Sequence, residues 1–121
     1  MRKLMVALAL LVFGSGAWAA DKNGIYAKRT ESCGPYMKDR KSQNAAKVLN
    51  HAVWIFGYVT AYNRQTPDTV DIRGGTEIDG ILLWLDNWCK ENPSKDVSDA
   101  MEAFTNEMHP RRDRKLRYQG R

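Results

Sequence analysis

At 121 residues, with 43% apolar and 27% charged side chains, the chain is long enough for one domain and too short for two. Its 19 Lys and Arg against 14 Asp and Glu give a net charge of +5, but the excess is local: residues 31–109 hold 8 basic and 12 acidic groups, whereas residues 110–121 hold 6 basic groups and one acid, Asp113. The alkaline balance thus belongs to one end of the chain, which argues against a nucleic-acid-binding body.

The first twenty residues have the three parts of a secretion signal in order. Met1-Arg2-Lys3 is a short positive end, Leu4 to Phe13 is an apolar run, and Ala17-Trp18-Ala19 places small residues at both positions a signal peptidase requires. The apolar run is too short to cross a membrane, which takes roughly 20 residues. Cleavage is expected after Ala19 or Ala20, with export through the Sec pathway and a periplasmic product. Residues 21–32 then read as a polar, flexible lead-in.

A helical domain is expected from Cys33 to His109. Gly34-Pro35 opens a first short helix, Tyr36 to about Arg40, with Ser32 as its cap. The second helix runs from Asn44 to about Arg64. Val48, Ala52, Ile55, Val59 and Tyr62 line one face, and Leu49, Val53 and Phe56 widen it, so this helix is expected to be the most buried. Gly57 in mid-helix costs up to about 1 kcal/mol, which predicts a neighbouring helix approaching closely there. Gln65 to Gly75 is the main connection, in which Val70 and Ile72 are candidates to tuck inward.

Thr76-Glu77-Ile78-Asp79 reads as the cap of a third helix, with the hydroxyl and a first-turn acid meeting free backbone donors. Ile78, Ile81, Leu82, Leu85, Trp88 and Cys89 form its stripe, and Asn92-Pro93 ends it. Asp96 caps a fourth helix whose face is Val97, Ala100, Met101, Phe104 and Met108. Pro110 stops that helix, and residues 110–121 (Arg111, Arg112, Arg114, Lys115 and Arg117 among them) are expected as a disordered basic tail. The fold class is all-α, a compact bundle of about four helices.

Cys33 and Cys89 are the only cysteines. In an oxidising compartment they favour one structural disulfide over a catalytic thiol or a metal ligand, since neither sits in a Cys-x-x-Cys pair. Closing a loop of 56 residues is worth on the order of 4 kcal/mol in the chain-entropy picture. No hydrolase, phosphate-loop or zinc motif is present. His51 reads as a rim residue of the second helix, and His109 as the end of the fourth, where its charge suits the helix dipole. Asp68, Asp71, Glu77 and Asp79 cluster around the main loop without calcium-loop spacing. The expectation is no enzyme, no metal and no cofactor.

Trp54, Tyr58, Tyr62, Trp84 and Trp88 exceed what so small a core requires. Core packing accounts for them, and the functional alternative is a protein-binding patch. The tail leaves open an anionic surface such as phospholipid head groups or lipopolysaccharide, while Tyr118 alone offers no stacking platform for nucleic acid.

The stretches Trp54-Ile55-Phe56-Gly57-Tyr58-Val59-Thr60-Ala61-Tyr62-Asn63 and Trp84-Leu85-Asp86-Asn87-Trp88-Cys89-Lys90-Glu91-Asn92-Pro93, followed by Asp99-Ala100 and preceded by Cys33, resemble small exported bacterial proteins of the HdeA/HdeB acid-stress chaperone family. The resemblance spans roughly Cys33 to Met108. It implies a helical periplasmic protein that forms a homodimer near neutral pH and, on acidification, exposes apolar surface to hold unfolding clients. A second resemblance, to periplasmic immunity proteins that neutralise type VI secreted amidases, implies one dedicated effector as partner.

Overall fold

The computed structural model describes residues 31–116. The expected secretion signal, the lead-in up to residue 30, and Arg117 with the residues after it lie outside that span. The order is α1 (Cys33–Lys41), α2 (Ala45–Gln65), α3 (Ile78–Glu91) and α4 (Val97–Met108), closed by a 3-10 turn over His109–Arg111. Among the described residues no strand forms, and the pairings outside helices are two isolated antiparallel bridges, Ser32 with Asp96 and Asp71 with Asp113. The all-α, four-helix reading holds.

Helix α1 begins three residues earlier than the expected Tyr36. Ser32 is its N-cap, but the Ser32 side chain caps nothing. The Cys33 N–H instead donates to the Lys95 carbonyl at 2.8 Å, and Pro35 brings no donor to satisfy. Asn44 caps α2 by accepting from the Lys47 N–H at 3.2 Å. At α3 the cap is Glu77, without a side-chain hydrogen bond. Thr76 lies one residue outside the helix with its methyl against Gly80, where an added Cβ would come within 2.8 Å of it. At α4 the expected cap is present as a capping box: Asp96 accepts from the Asp99 N–H, and the Asp99 carboxylate accepts from the Asp96 N–H at 3.0 Å.

The core draws on every helix. Tyr36, Ile55, Ile72, Ile81, Leu85, Met101 and Phe104 are all fully buried. Cys33 and Cys89 form the expected disulfide, Cα atoms 5.1 Å apart, which ties the start of α1 to the end of α3. Beside it the Tyr36 hydroxyl donates to the Leu82 carbonyl at 3.3 Å. The Arg40 guanidinium grips the Asp86 carboxylate with Nε and Nη2 both at 2.9 Å.

Two expectations about α2 are corrected. It is not the most buried helix: Ala52, Ile55 and Val59 are its buried residues, against six in the shorter α4. Twenty-one residues make a rod of about 31 Å, longer than α3 or α4, and only part of its circumference meets the body, with Val48, Trp54, Tyr58 and Tyr62 packed beside the buried residues. Nor does anything approach Gly57, since a Cβ placed there meets no atom within 4 Å.

The tail expectation is also corrected over residues 110–116. Pro110 ends α4 by opening the 3-10 turn, and the chain then folds back over the main connection. The Asp113 carbonyl accepts from the Val70 and Asp71 N–H groups at 2.8 and 3.2 Å, and the Asp113 N–H donates to the Asp71 carbonyl at 2.9 Å. Arg112 donates from Nε to Thr69 Oγ1 at 3.0 Å and from Nη1 to the His109 carbonyl at 2.6 Å. Arg111 pairs with Glu107 at 2.7 Å. Gly74, at φ +58°, lies under the turn, where a Cβ would sit 2.8 Å from the Arg111 carbonyl oxygen. The connection is held in turn by Asn63, whose Oδ1 accepts the N–H of fully buried Ile72 at 2.8 Å.

Two outcomes follow from this arrangement. Replacing both cysteines with serine lowers stability by about 2–5 kcal/mol, as is usual when a small domain loses its disulfide, and denaturant melts of the oxidised protein and the variant measure it. Truncation after Met108 lowers stability by about 1–3 kcal/mol, since it removes several hydrogen bonds worth about 0.5–1.5 kcal/mol each. An unchanged melting midpoint on truncation would show that residues 109–116 add nothing to the body.

Candidate protein-binding surface

The five aromatic residues expected to form a binding patch are half-buried and packed against the core. Trp54 and Tyr58 lie one turn apart with ring centroids at 5.5 Å. Tyr62 shares a 2.9 Å hydrogen bond with His109 Nδ1. Trp84 stands edge-on to Phe104 at 5.3 Å, and its Nε1 donates to Glu107 at 3.1 Å. Burial pushes the Tyr58 hydroxyl up from its ordinary value. Tyr62 and Trp84 thus place their polar tips on neighbouring elements, and all five rings pack on the core while keeping part of their surface exposed.

Of the large apolar side chains that are exposed, three line up elsewhere on α2, the others being Val70, Leu83 and Leu116. Leu49 and Val53 are each 61% exposed and Phe56 is 42% exposed, although the sequence pattern places them beside the buried file. Gly57 and Thr60 continue the same face, both exposed, with the Thr60 hydroxyl turned back to the Phe56 carbonyl at 2.7 Å. Residues 49, 53, 56 and 60 repeat at helical spacing, so they form one continuous stripe. No Asp or Glu occurs anywhere in Ala45–Gln65. An apolar helical face free of acidic groups is suited to receive the apolar side chains of another polypeptide.

Polar ties join α1 to α2 and brace the connection after α2. Asp39 on α1 accepts from Lys47 Nζ at 2.8 Å and meets His51 Nε2 at 3.2 Å, both on α2. The Lys47 hydrogen bond, followed by that of His51, holds the Asp39 carboxyl below the usual carboxylate range. Tyr36 packs edge-on against His51 at 5.0 Å, and burial, with Asp86 beside it, raises the Tyr36 hydroxyl. In the connection, burial pushes the Asp71 carboxyl up, but hydrogen bonds from the Arg73 side chain and N–H outweigh it and leave the group lowered.

The acidic residues singled out around the main loop have separate employments. Asp71 holds Arg73 at 2.9 Å, Asp68 faces Arg114 at 3.7 Å, and Asp79 sits in the first turn of α3. Among the described residues, the group whose donor atoms converge as metal ligands would is instead Glu31, Asp39 and His51. A shallow cleft of about 330 Å³ lies between the connection and the end of the chain, walled by Val70, Asp71, Arg73, Asp113 and Leu116. No described helix is long and apolar enough to cross a membrane. No protein-family model, curated protein or solved structure matches this chain.

Gly57 generates a direct test of the surface. With open space around it, Gly57→Ala raises stability by about 0.5–1 kcal/mol, the helix-interior cost of glycine relative to alanine. A loss of stability in the purified variant would mean that something packs on this face within the molecule.

Proposed function

We propose that this chain is an exported, non-enzymatic protein-binding domain, an acid-stress chaperone of the HdeA/HdeB kind, that holds unfolding periplasmic proteins on the outer face of α2. The observation that carries the reading is the Leu49, Val53 and Phe56 stripe, an apolar helical face with no partner in the fold. The resemblance of the Trp54–Asn63 and Trp84–Pro93 stretches to that family supports it. So does the disulfide, which keeps α1 and α3 joined when other contacts loosen.

Acid sensitivity has a physical source in the connection between α2 and α3. The Asp71 carboxyl is lowered relative to its unfolded value near 3.9 by Arg73. The stability it contributes is present above that unfolded value and is lost as pH falls through the folded one. The charged groups around it are Arg73 on the same loop, Glu77 at the start of α3, and Asp113 and Lys115 on the returning chain. Asn63 of α2 adds a hydrogen bond. Protonation loosens the loop that closes over buried Ile72, and the body, with its 12 carboxylates in residues 31–109 neutralised, becomes strongly cationic. Apolar surface then widens from α2 toward Ile72.

The stripe is already exposed in the folded domain, and that specific feature also suits a single folded partner. An immunity role against a secreted amidase is accordingly the second reading. Light scattering of an aggregation-prone client at about pH 2–3 and at pH 7 separates the two. The chaperone suppresses aggregation in acid only. Replacing Leu49, Val53 and Phe56 together with serine abolishes most of that suppression while leaving helix content intact. Equal suppression by the triple variant removes α2 as the holding surface. Absence of any acid effect, with tight neutral-pH binding to one amidase, establishes the immunity role instead.

A further inference from the structure

We propose that Glu31, Asp39 and His51 form a binding site for a divalent transition-metal ion of borderline softness, Zn²⁺ by its donor set. The three residues come from the segment before α1, from α1 and from α2, and their donor atoms all lie within 4.8 Å of one another. His51 Nε2 and Asp39 Oδ2 are 3.2 Å apart. Two donors bound tetrahedrally at about 2.0–2.2 Å from zinc stand about 3.4 Å apart, so this edge of the polyhedron already exists.

The surroundings act as an outer shell. Asp39 presents Oδ2 to the site while its other oxygen, Oδ1, accepts from Lys47 Nζ at 2.8 Å, the kind of support that orients a ligating carboxylate. The Tyr36 ring, edge-on at 5.0 Å, restrains the imidazole plane. The backbone at residue 31 is fixed by α4, since the Glu31 carbonyl accepts from the Val97 N–H at 3.0 Å. Only the exposed Glu31 side chain has to adjust to close the site. One imidazole with two carboxylates matches zinc and its transition-metal neighbours, whereas calcium and magnesium take oxygen donors throughout. A fourth position on the exposed side is left to water. The ion would pin α1 and the preceding segment to α2 at the end of α2 opposite the connection. The site stands independently of the protein-binding reading.

In the sequence His51 reads as a rim residue of α2, and residues 31, 39 and 51 have no motif spacing. Only the packing of α1 against α2 unites them.

The test titrates ZnCl₂ into the untagged, chelator-treated protein by calorimetry, with Co²⁺ absorption as a second reading of ligand number. The expected result is one ion per chain, a raised melting temperature reversed by chelator, and a shift of the His51 ring resonances. Glu31→Gln and His51→Gln each weaken binding by about 10–100-fold, circular dichroism verifying that both variants remain folded, and His109→Gln leaves it unchanged. No heat and no thermal shift, or binding that survives His51→Gln or disappears with His109→Gln, overturns the assignment.

Discussion

The seam between α1 and α3 governs the rest of this fold. Helix α1 has nine residues and buries only Cys33 and Tyr36, and a helix that short has no stability of its own in water. Three contacts along one side hold it: the Cys33–Cys89 bond, the Tyr36 hydroxyl on the Leu82 carbonyl, and the paired Arg40–Asp86 bonds. Residues 33, 36 and 40 fall on one helical face, so covalent, polar and apolar contacts reinforce each other there. With α1 fixed, Asp39 on its flank reaches Lys47 and His51 and sets where α2 lies. Helix α2 touches the body along its buried file, and the flank beside that file, Leu49, Val53 and Phe56, is left exposed.

That dependence explains what could and could not be read in the residues. Periodicity placed the faces of α3 and α4 well: Ile81, Leu82, Leu85 and Cys89, and Val97, Ala100, Met101, Phe104 and Met108, are all buried. The same signal misjudged α2. The file of Val48, Ala52, Ile55, Val59 and Tyr62 does face inward, but Leu49, Val53 and Phe56 do not, because an apolar file reports a preference for burial and says nothing about whether a partner is available. The tail was missed for another reason. Residues 110–116 are held by backbone pairing of Asp113 with Val70 and Asp71 and by arginine contacts to Glu107, Thr69 and the His109 carbonyl, none of which leaves an apolar period to detect. Gly74 was the one trace of them, since its left-handed conformation and the Arg111 carbonyl above it leave no room for a side chain.

The aromatic residues make the complementary point. Trp and Tyr are favoured at interfaces because they offer apolar area with a polar tip, and those qualities equally serve a small core with few large aliphatics. Here Glu107 and His109 meet the tips of Trp84 and Tyr62. The side chains left outside are aliphatic or plain phenyl, with no polar atom that needs a partner. Residue type alone therefore does not separate core from interface here, and exposure adds Leu49, Val53 and Phe56 to the side chains open on α2.

The distribution of ties also orders how the domain can loosen. Helices α1 and α3 are covalently joined, and α3 and α4 supply most of the buried core, Phe104 and Met101 included. The connection from residue 66 to 77 depends on weaker links: the Asn63 side chain, the Asp71–Arg73 pair and the bridge to Asp113. Local opening draws on the segments with fewest buried apolar contacts, and in this molecule that is the connection together with the returning chain. Opening there uncovers Ile72 and the end of α2 while the disulfide keeps the remaining helices within reach of refolding. A domain built this way can extend its apolar surface from one end of α2 without losing the framework that restores it.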